Sequence, residues 1–275
     1  MSIIIISSDS PEIEKKTAGL IAESLGYEIL DRESILPKIA EKHGTSADDL
    51  IKVLEKRPSV FRSSVRQWNL LLSYIQEATV EELRRDNLVC HGLAAHLYVL
   101  GVSHVLRVRI LSKEDEKLRE VMAHTGITRQ AAQKLNDKEK KYRSRWSSDL
   151  YDMDETDSSK YDLSISLDNI DLEDAIKMIE ETISYRRFRA MTYSIRCMED
   201  LAIVSRARAI LIKRFPDVRI QASGGRLIIS LLSLKREKVK KTKIIKEMTN
   251  DIEGVDYVEV HVFNDYFGQA AESFR

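Results

Sequence analysis

The sequence predicts an α/β chain, a parallel sheet flanked by helices, followed by a small α+β unit. Short apolar, β-branched runs such as Ile3–Ile6 alternate with amphipathic helical stretches as far as about residue 190, the pattern of βαβ units with right-handed crossovers. Past residue 195 the strands instead alternate about Gly224-Gly225, a hairpin signature. With 275 residues and 43% hydrophobic content, the chain can build two packed cores.

Ile3–Ile6 suits a strand buried on both faces. Ser7–Ser10 breaks it, and Pro11 fits the first turn of a helix. Ile13, Thr17, Leu20, Ile21 and Leu25 recur at helical spacing, with Gly26 placed to end that helix. Tyr27–Leu30 reads as a second strand, and Asp31 precedes a helix ending near Gly44. Further helices are predicted over 46–55, 60–79 and 79–85. Leu88–Gly92 is a third strand with a helix over 93–100, and Val105–Leu111 a fourth with a helix over 113–125. A charged helix fills 128–146, a loop 147–160, a fifth strand 161–166 and a helix 171–190. In the C-terminal part, helix 198–214, strands 218–222 and 227–232, helix 235–251 and strand 257–263 give the order αββαβ. The two domains are drawn at 1–190 and 196–275; no Gly/Pro linker separates them, so a continuous or kinked helix is expected there.

Composition narrows the function classes. Lys plus Arg and Asp plus Glu number 44 each, for a net charge of zero. Bulk charge therefore gives no argument for nucleic acid or an acidic membrane as partner, and either would have to rest on a local patch. The four isoleucines near the start are too few for a signal peptide. No apolar run approaches the ~20 residues that span a bilayer. Cys90 and Cys197 stand far apart, as two structural thiols of a reduced, cytoplasmic protein would. Cys90, His91 and His96 match no zinc spacing, so no metal site is expected. No Gly-x-Ser-x-Gly or Ser/His/Asp arrangement supports nucleophilic catalysis.

Several stretches belong together: Ala22–Tyr27, Leu30-Asp-Arg-Glu33, Val89-Cys-His-Gly92, Leu106–Ile110, Leu118–Met122, Gly126–Arg129, the basic run 137–145 and Tyr161–Ser166. In this order, over roughly residues 1–185, they resemble the cytidylate-kinase-like family of P-loop nucleotide kinases. The resemblance implies a P-loop kinase-like sheet, a phosphate loop after the first strand and a basic lid. It also implies, if the protein is active, ATP and magnesium as cofactors and γ-phosphoryl transfer to a nucleotide.

A P-loop needs glycines so that backbone N–H groups converge on phosphate without a Cβ in the way. It also wants a lysine for the β/γ-phosphates and a hydroxyl for magnesium. Here Ser7–Thr17 contains no glycine, Pro11 supplies no donor, and Asp9, Glu12 and Glu14 put negative charge where a triphosphate would sit. One register sets Ser10 and Lys15 at the glycine positions and keeps Lys16-Thr17 as the Lys-hydroxyl pair. Another, set by Leu25-Gly26, puts Lys15 at the family's basic position. Neither restores the glycines, so the loop is expected to hold magnesium-ATP weakly or not at all.

The resemblance implies phosphate or nucleotide contacts at Thr17, Asp31, Arg32, Arg62, Arg66, His91 and Gly92. Arg62 and Arg66 are one helical turn apart and could form a clamp beside Asp31. Arg107 and Arg109 share a strand face by period two, where they could hold phosphate or salt-bridge a neighbouring helix. If the protein is active, Lys15, Lys16, Arg143 and Arg145 are its catalytic cations. Lys138, Lys140 and Lys141 complete the lid run, for which a solvated helix face is the plainer account.

From about Glu199 to Val262 the chain resembles the BON module. The matching residues are Ala202–Leu211, Gly224-Gly-Arg-Leu-Ile-Ile-Ser230 and Gly254-Val-Asp-Tyr-Val258, while Leu231 or Leu232 replaces the usual glycine. Its basic helix 235–246 fits a solvated face better than lipid or nucleic acid. Two functions follow: a ligand- or partner-binding regulatory protein on a degenerate kinase scaffold, or an active kinase with an unorthodox loop. The expected ligand is a nucleotide or other anionic small molecule, with a protein partner or self-association through the C-terminal domain.

Overall fold

The computed structural model describes residues 2–55 and 62–264. Ile3–Ile6, each at most 2% exposed, form most of β1 (Ile3–Ser8), the middle of a five-stranded parallel sheet. β2 (Glu28–Leu30), β3 (Leu88–His91), β4 (Val105–Leu111) and β5 (Leu163–Ser166) complete it in the order β2-β3-β1-β4-β5. Ile3 sits beside Leu88 on one flank and Val105 on the other. This register brings the ends of β1 and β3 together at Ile6 and His91.

Helices α1 (Pro11–Leu25), α2 (Arg32–His43), α3 (Ala47–Glu55), α4 (Arg62–Leu83), α5 (Glu114–Thr125), α6 (Arg129–Tyr151) and α7 (Leu172–Ser184) follow the expected alternation. The chain divides into two compact units that are not contiguous in sequence: Met1–Ile35 with Arg85–Ser194, and Leu36–Arg84 with Ile195 onward. In the first, Ile4, Ile6, Val89, Leu106, Val108 and Ile165 pack with Ala18 and Ile21 of α1 and Ile179 and Ile183 of α7. Burial of each such side chain contributes about 1.5–3 kcal/mol.

In the second unit, α8 (Thr192–Leu211), β6 (Arg219–Ser223), β7 (Arg226–Ser233), α9 (Lys238–Thr249) and β8 (Tyr257–Asn264) realise the order αββαβ. β6 and β7 pair antiparallel through a two-residue turn at Gly224-Gly225, and β8 lies parallel to β7. Leu227, Ile229 and Leu231 share one face of β7 and form a core with Ile203, Ala207 and Leu211 of α8 and Ile245 of α9. Arg206 of α8 donates to Glu81 of α4 at 2.5 Å.

Several boundaries differ from the sequence expectation. Residues 93–100 hold only a 3₁₀ turn at Ala95–Leu97, because Ala94 takes a left-handed conformation with φ of 54°. The helices expected over 60–79 and 79–85 are one, α4, with residues 60 and 61 outside the described residues. α6 runs on to Tyr151, so the loop expected from residue 147 is shorter; Ser147 bonds back to the Arg143 carbonyl at 3.0 Å and stays helical. α7 stops at Ser184, and α8 begins at Thr192 rather than 198. No helix of the described residues is long and apolar enough to cross a membrane.

Candidate functional site

Only Asp9 and Ser10 separate β1 from α1. Ser10 takes an extended N-cap conformation, its Oγ accepting from the Ile13 amide at 3.3 Å, and Pro11 fills the first helical position. The Glu14 amide already donates to the Ser10 carbonyl at 3.0 Å. Serine is among the best N-caps, proline loses nothing at N1, and acids in the first turn suit the helix dipole. Residues 11–14, which the Lys16-Thr17 register assigns to the phosphate loop, are therefore a capped helical turn.

The acids of this stretch find partners inside the protein. Asp9 accepts from the Ser112 amide at 2.9 Å, the Ser112 hydroxyl at 2.8 Å and Lys117 Nζ at 3.0 Å. Burial pushes the Asp9 carboxyl up, but these donors outweigh it and hold it below its usual range. Glu12 lies 3.3 Å from His124 Nε2, and Ser10 donates to Glu120 at 2.7 Å. Glu14 turns inward: Oε2 accepts from the Ser8 amide at 3.0 Å and Oε1 from the Gly92 amide at 2.6 Å. Burial raises its pKa, while the two amides and the charges of Arg32 and Arg109 oppose the rise.

The lysines and the hydroxyl diverge. Lys15 pairs with Glu33 at 2.8 Å on the surface, which raises the lysine pKa. Lys16 is exposed. Thr17 is fully buried, and its Oγ1 has no hydrogen-bond partner among the described residues. Lys15, Lys16 and Thr17 thus have three different surroundings: an ion pair, solvent and the buried interior.

Around the Asp31 position, Asp31 and Ser34 form a reciprocal cap on α2, with bonds of 2.8 and 3.1 Å. His91 Nε2 lies 3.9 Å from the Asp31 carboxylate, and burial lowers the imidazole pKa. Arg32 Nε donates to the Gly92 carbonyl. Gly92 has φ of +73°, and a Cβ there would stand 3.4 Å from the Arg32 side chain. Arg66 is exposed on α4, in the other unit from Asp31; the Arg62 side chain lies outside the described residues. Lys138, Lys140, Lys141 and Arg145 are exposed on α6. Arg107 pairs with Asp162 through Nε at 3.0 Å and Nη2 at 3.1 Å, at the entry to β5 rather than on a helix.

The remaining cations turn inward to a polar cluster. Arg143 donates to Glu155 at 2.6 Å, and its guanidinium stands 4.7 Å from the Trp146 ring centroid. Glu155 is 2% exposed. Arg109 donates through Nη1 to Ser7 Oγ at 2.7 Å, and its Nε is buried with no hydrogen-bond partner among the described residues. The Tyr161 hydroxyl links Glu155, His96 and Ser7. Burial, reinforced by Arg143, Arg109 and Arg107, lowers the His96 pKa to about 3, so this imidazole is neutral. Sequence reasoning missed His96, Glu155 and Tyr161 as site residues. The one signal was Arg109, which with Arg107 puts charge inside an otherwise apolar strand.

The model of the cytidylate kinase-like family matches residues 4–169. No curated protein matches the chain. Among solved structures it is similar to an uncharacterized protein from Eubacterium ventriosum, at 20% identity and a TM-score of 0.47, covering 68% of this chain and 100% of that one. Shikimate kinase from Bacteroides thetaiotaomicron is 12% identical with a TM-score of 0.42, covering 67% and 99%. Dephospho-CoA kinase from Campylobacter jejuni is 16% identical with a TM-score of 0.35, covering 66% and 97%.

Proposed function

The chain belongs to the cytidylate kinase-like family, and from that premise we propose that it is a catalytically degenerate member, acting as a ligand- or partner-binding regulatory protein in the cytoplasm. The observation that carries this reading is Glu14, whose carboxylate takes the Ser8 and Gly92 amides at the ends of β1 and β3. Ligands of open α/β sheets bind at such carboxyl ends. Magnesium-ATP would have to expel that carboxylate, unwind the capped turn at Pro11–Glu14 and draw Lys15 away from Glu33. Each of the two amide bonds to the Glu14 carboxylate is worth roughly 1.5–3 kcal/mol, while the exposed Lys15–Glu33 pair adds little. Thr17 is fully buried, so presenting its hydroxyl to magnesium would take a further rearrangement.

The C-terminal αββαβ unit serves in this reading as a BON-like interaction module. Leu232 and Phe263, neighbours in the β7/β8 register, stand 66% and 57% exposed and suit a protein partner or a second copy. Free Cys90 and Cys197 fit a reducing compartment.

A thermal-shift screen of nucleoside mono- and triphosphates, with and without magnesium, tests the reading. Ligand at a hundred times Kd stabilises by about 2.7 kcal/mol, and magnesium-ATP should produce no such shift. A sub-millimolar ATP affinity that disappears in Lys15→Ala or Lys16→Ala would overturn it. The protein would then be an active kinase passing the γ-phosphoryl of ATP to a nucleoside monophosphate.

A further inference from the structure

We propose that the free edge of β8 is an interface and that its occupant is β8 of a second copy of this chain, paired antiparallel about Val260. Two three-stranded sheets then become one sheet of six. The proposal rests on the reading of the C-terminal unit as an interaction module, and names its surface and its partner. β8 runs eight residues at one edge of the order β6-β7-β8, and among the described residues it pairs with β7 alone. Edge strands are normally blunted by lysine, proline, a bulge or short length. β8 contains no lysine, proline or glycine, whereas the opposite edge, β6, has five residues and opens on Arg219. The Tyr257 amide turns toward β7, donating to the Gly225 carbonyl at 3.3 Å. Backbone groups alternate sides along a strand, so Val258, Val260 and Val262 direct theirs outward.

The sequence of β8 is complementary to its own reverse. With Val260 opposite Val260, Glu259 faces His261 of the second copy and Tyr257 faces its Phe263, each pair occurring twice by two-fold symmetry. All four side chains share one face of β8, and Tyr257, His261 and Phe263 are exposed. The outward valines would exchange the hydrogen bonds, which leaves these pairs at the narrow positions where opposing Cα atoms stand about 4.5 Å apart. Cross-strand aromatic pairs stabilise a sheet there, and an imidazole can donate to a carboxylate in either charge state. Glu259 already accepts from Arg226 Nε at 2.9 Å and lies 2.8 Å from its own His261. The second copy therefore extends an ionic row rather than burying a lone charge. On the other face Val260 and Val262 pack on the core of this unit but are only partly buried, and the same valines of the second copy would cover them. The register is selective, because moving the axis to Glu259 or to His261 sets that residue opposite itself.

Sedimentation equilibrium of the full chain tests the pairing. Wild type should dimerise, and Val260→Pro should weaken the dimer at least tenfold, because it removes an outward amide and leaves the bonds to β7 in place. His261→Glu sets carboxylate opposite carboxylate at two positions and should also lose at least tenfold. An equal mixture of His261→Glu and Glu259→His chains restores acid opposite histidine and should recover the dimer. Should Val260→Pro not fold, the two side-chain variants and their mixture decide. A wild type that stays monomeric up to about 100 µM, well above the Kd of a specific interface, overturns the proposal. A dimer indifferent to both Val260→Pro and His261→Glu overturns it too. The two failures differ: a monomer removes self-association from the functional reading, whereas an indifferent dimer removes only this strand. Magnesium-ATP binding is a separate measurement and tests the degenerate scaffold alone.

Discussion

The Tyr161 hydroxyl donates to the Glu155 carbonyl at 2.8 Å and lies 3.1 Å from His96 Nε2. With its one proton committed to the carbonyl, the hydroxyl oxygen accepts from His96. The neutral imidazole therefore carries its proton on Nε2.

Acid should unlock this cluster at His96. Its folded pKa, about 3, lies below the ordinary histidine value of 6.5, so between the two the unfolded chain binds more protons. Stability from this group is complete above about pH 6.5 and is lost, by an amount on the order of a few kcal/mol, as pH falls toward 3. Urea unfolding of wild type and His96→Gln across that window should show the gap between them narrowing with acid. A constant gap would count against a buried neutral imidazole.

Glu155 balances Arg143 with almost no access to solvent. Breaking a buried pair from one side costs about 3–5 kcal/mol, so Glu155→Ala should lower unfolding free energy by about that much. Chemical denaturation decides it, and a loss below about 1 kcal/mol would show that water replaces the carboxylate freely.

Glu14 has the opposite pH dependence to His96. Burial raises its pKa from 4.5, so the folded protein holds the proton longer than the unfolded chain. Its contribution is greatest in acid and declines as pH rises from about 4.5 through the raised value. The stability of wild type relative to Glu14→Gln should therefore fall with rising pH. A difference that grows instead would mean that the amides and arginines outweigh burial.

The two glycines of the β6–β7 turn should respond differently to alanine. Both have positive φ, but a Cβ on Gly224 meets nothing within 4 Å, while one on Gly225 falls 2.3 Å from Asp256 Oδ2. Gly224→Ala should cost about 1–2 kcal/mol from the left-handed backbone alone. Gly225→Ala should cost more, by less than about 1 kcal/mol, because the exposed Asp256 carboxylate must also swing aside. Melting temperatures of the two variants rank them, and equal losses would sink the contact.

Residues 196–275 expressed alone should fold cooperatively and give a dispersed amide spectrum. The core of Ile203, Leu211, Leu227, Ile229 and Ile245 draws all its members from that stretch. The fragment forgoes the bond from Arg206 to Glu81, a modest loss for one ion pair. A non-cooperative melt would instead make residues 36–84 part of the folding unit.

What the sequence made legible was whatever rests on local pattern. Ile3–Ile6 declared a two-sided strand and Gly224-Gly225 a hairpin because each depends on neighbours a few residues away. The three acids of Ser7–Thr17 were equally visible in the sequence, though not the partners they find. That Glu14 in particular turns inward was not legible, since it depends on the β1–β3 register that brings Gly92 alongside Ser8. His96, Tyr161 and Glu155 meet only after two crossovers and the full length of α6, and no spacing encodes that. The short 3₁₀ turn after Gly92 escaped because a lone left-handed alanine leaves no compositional trace.

The two-residue join between β1 and α1 also sets what a redesign would have to change. A Gly-rich phosphate loop interposes several non-helical residues between strand and helix, where this chain has Asp9 and Ser10. Glycines placed at Ser10 and Lys15 would remove the cap and weaken the first turn without creating a cradle. A cradle would need residues 11–14 to leave the helix and Glu14 to leave the Ser8 and Gly92 amides together, so no single substitution supplies it.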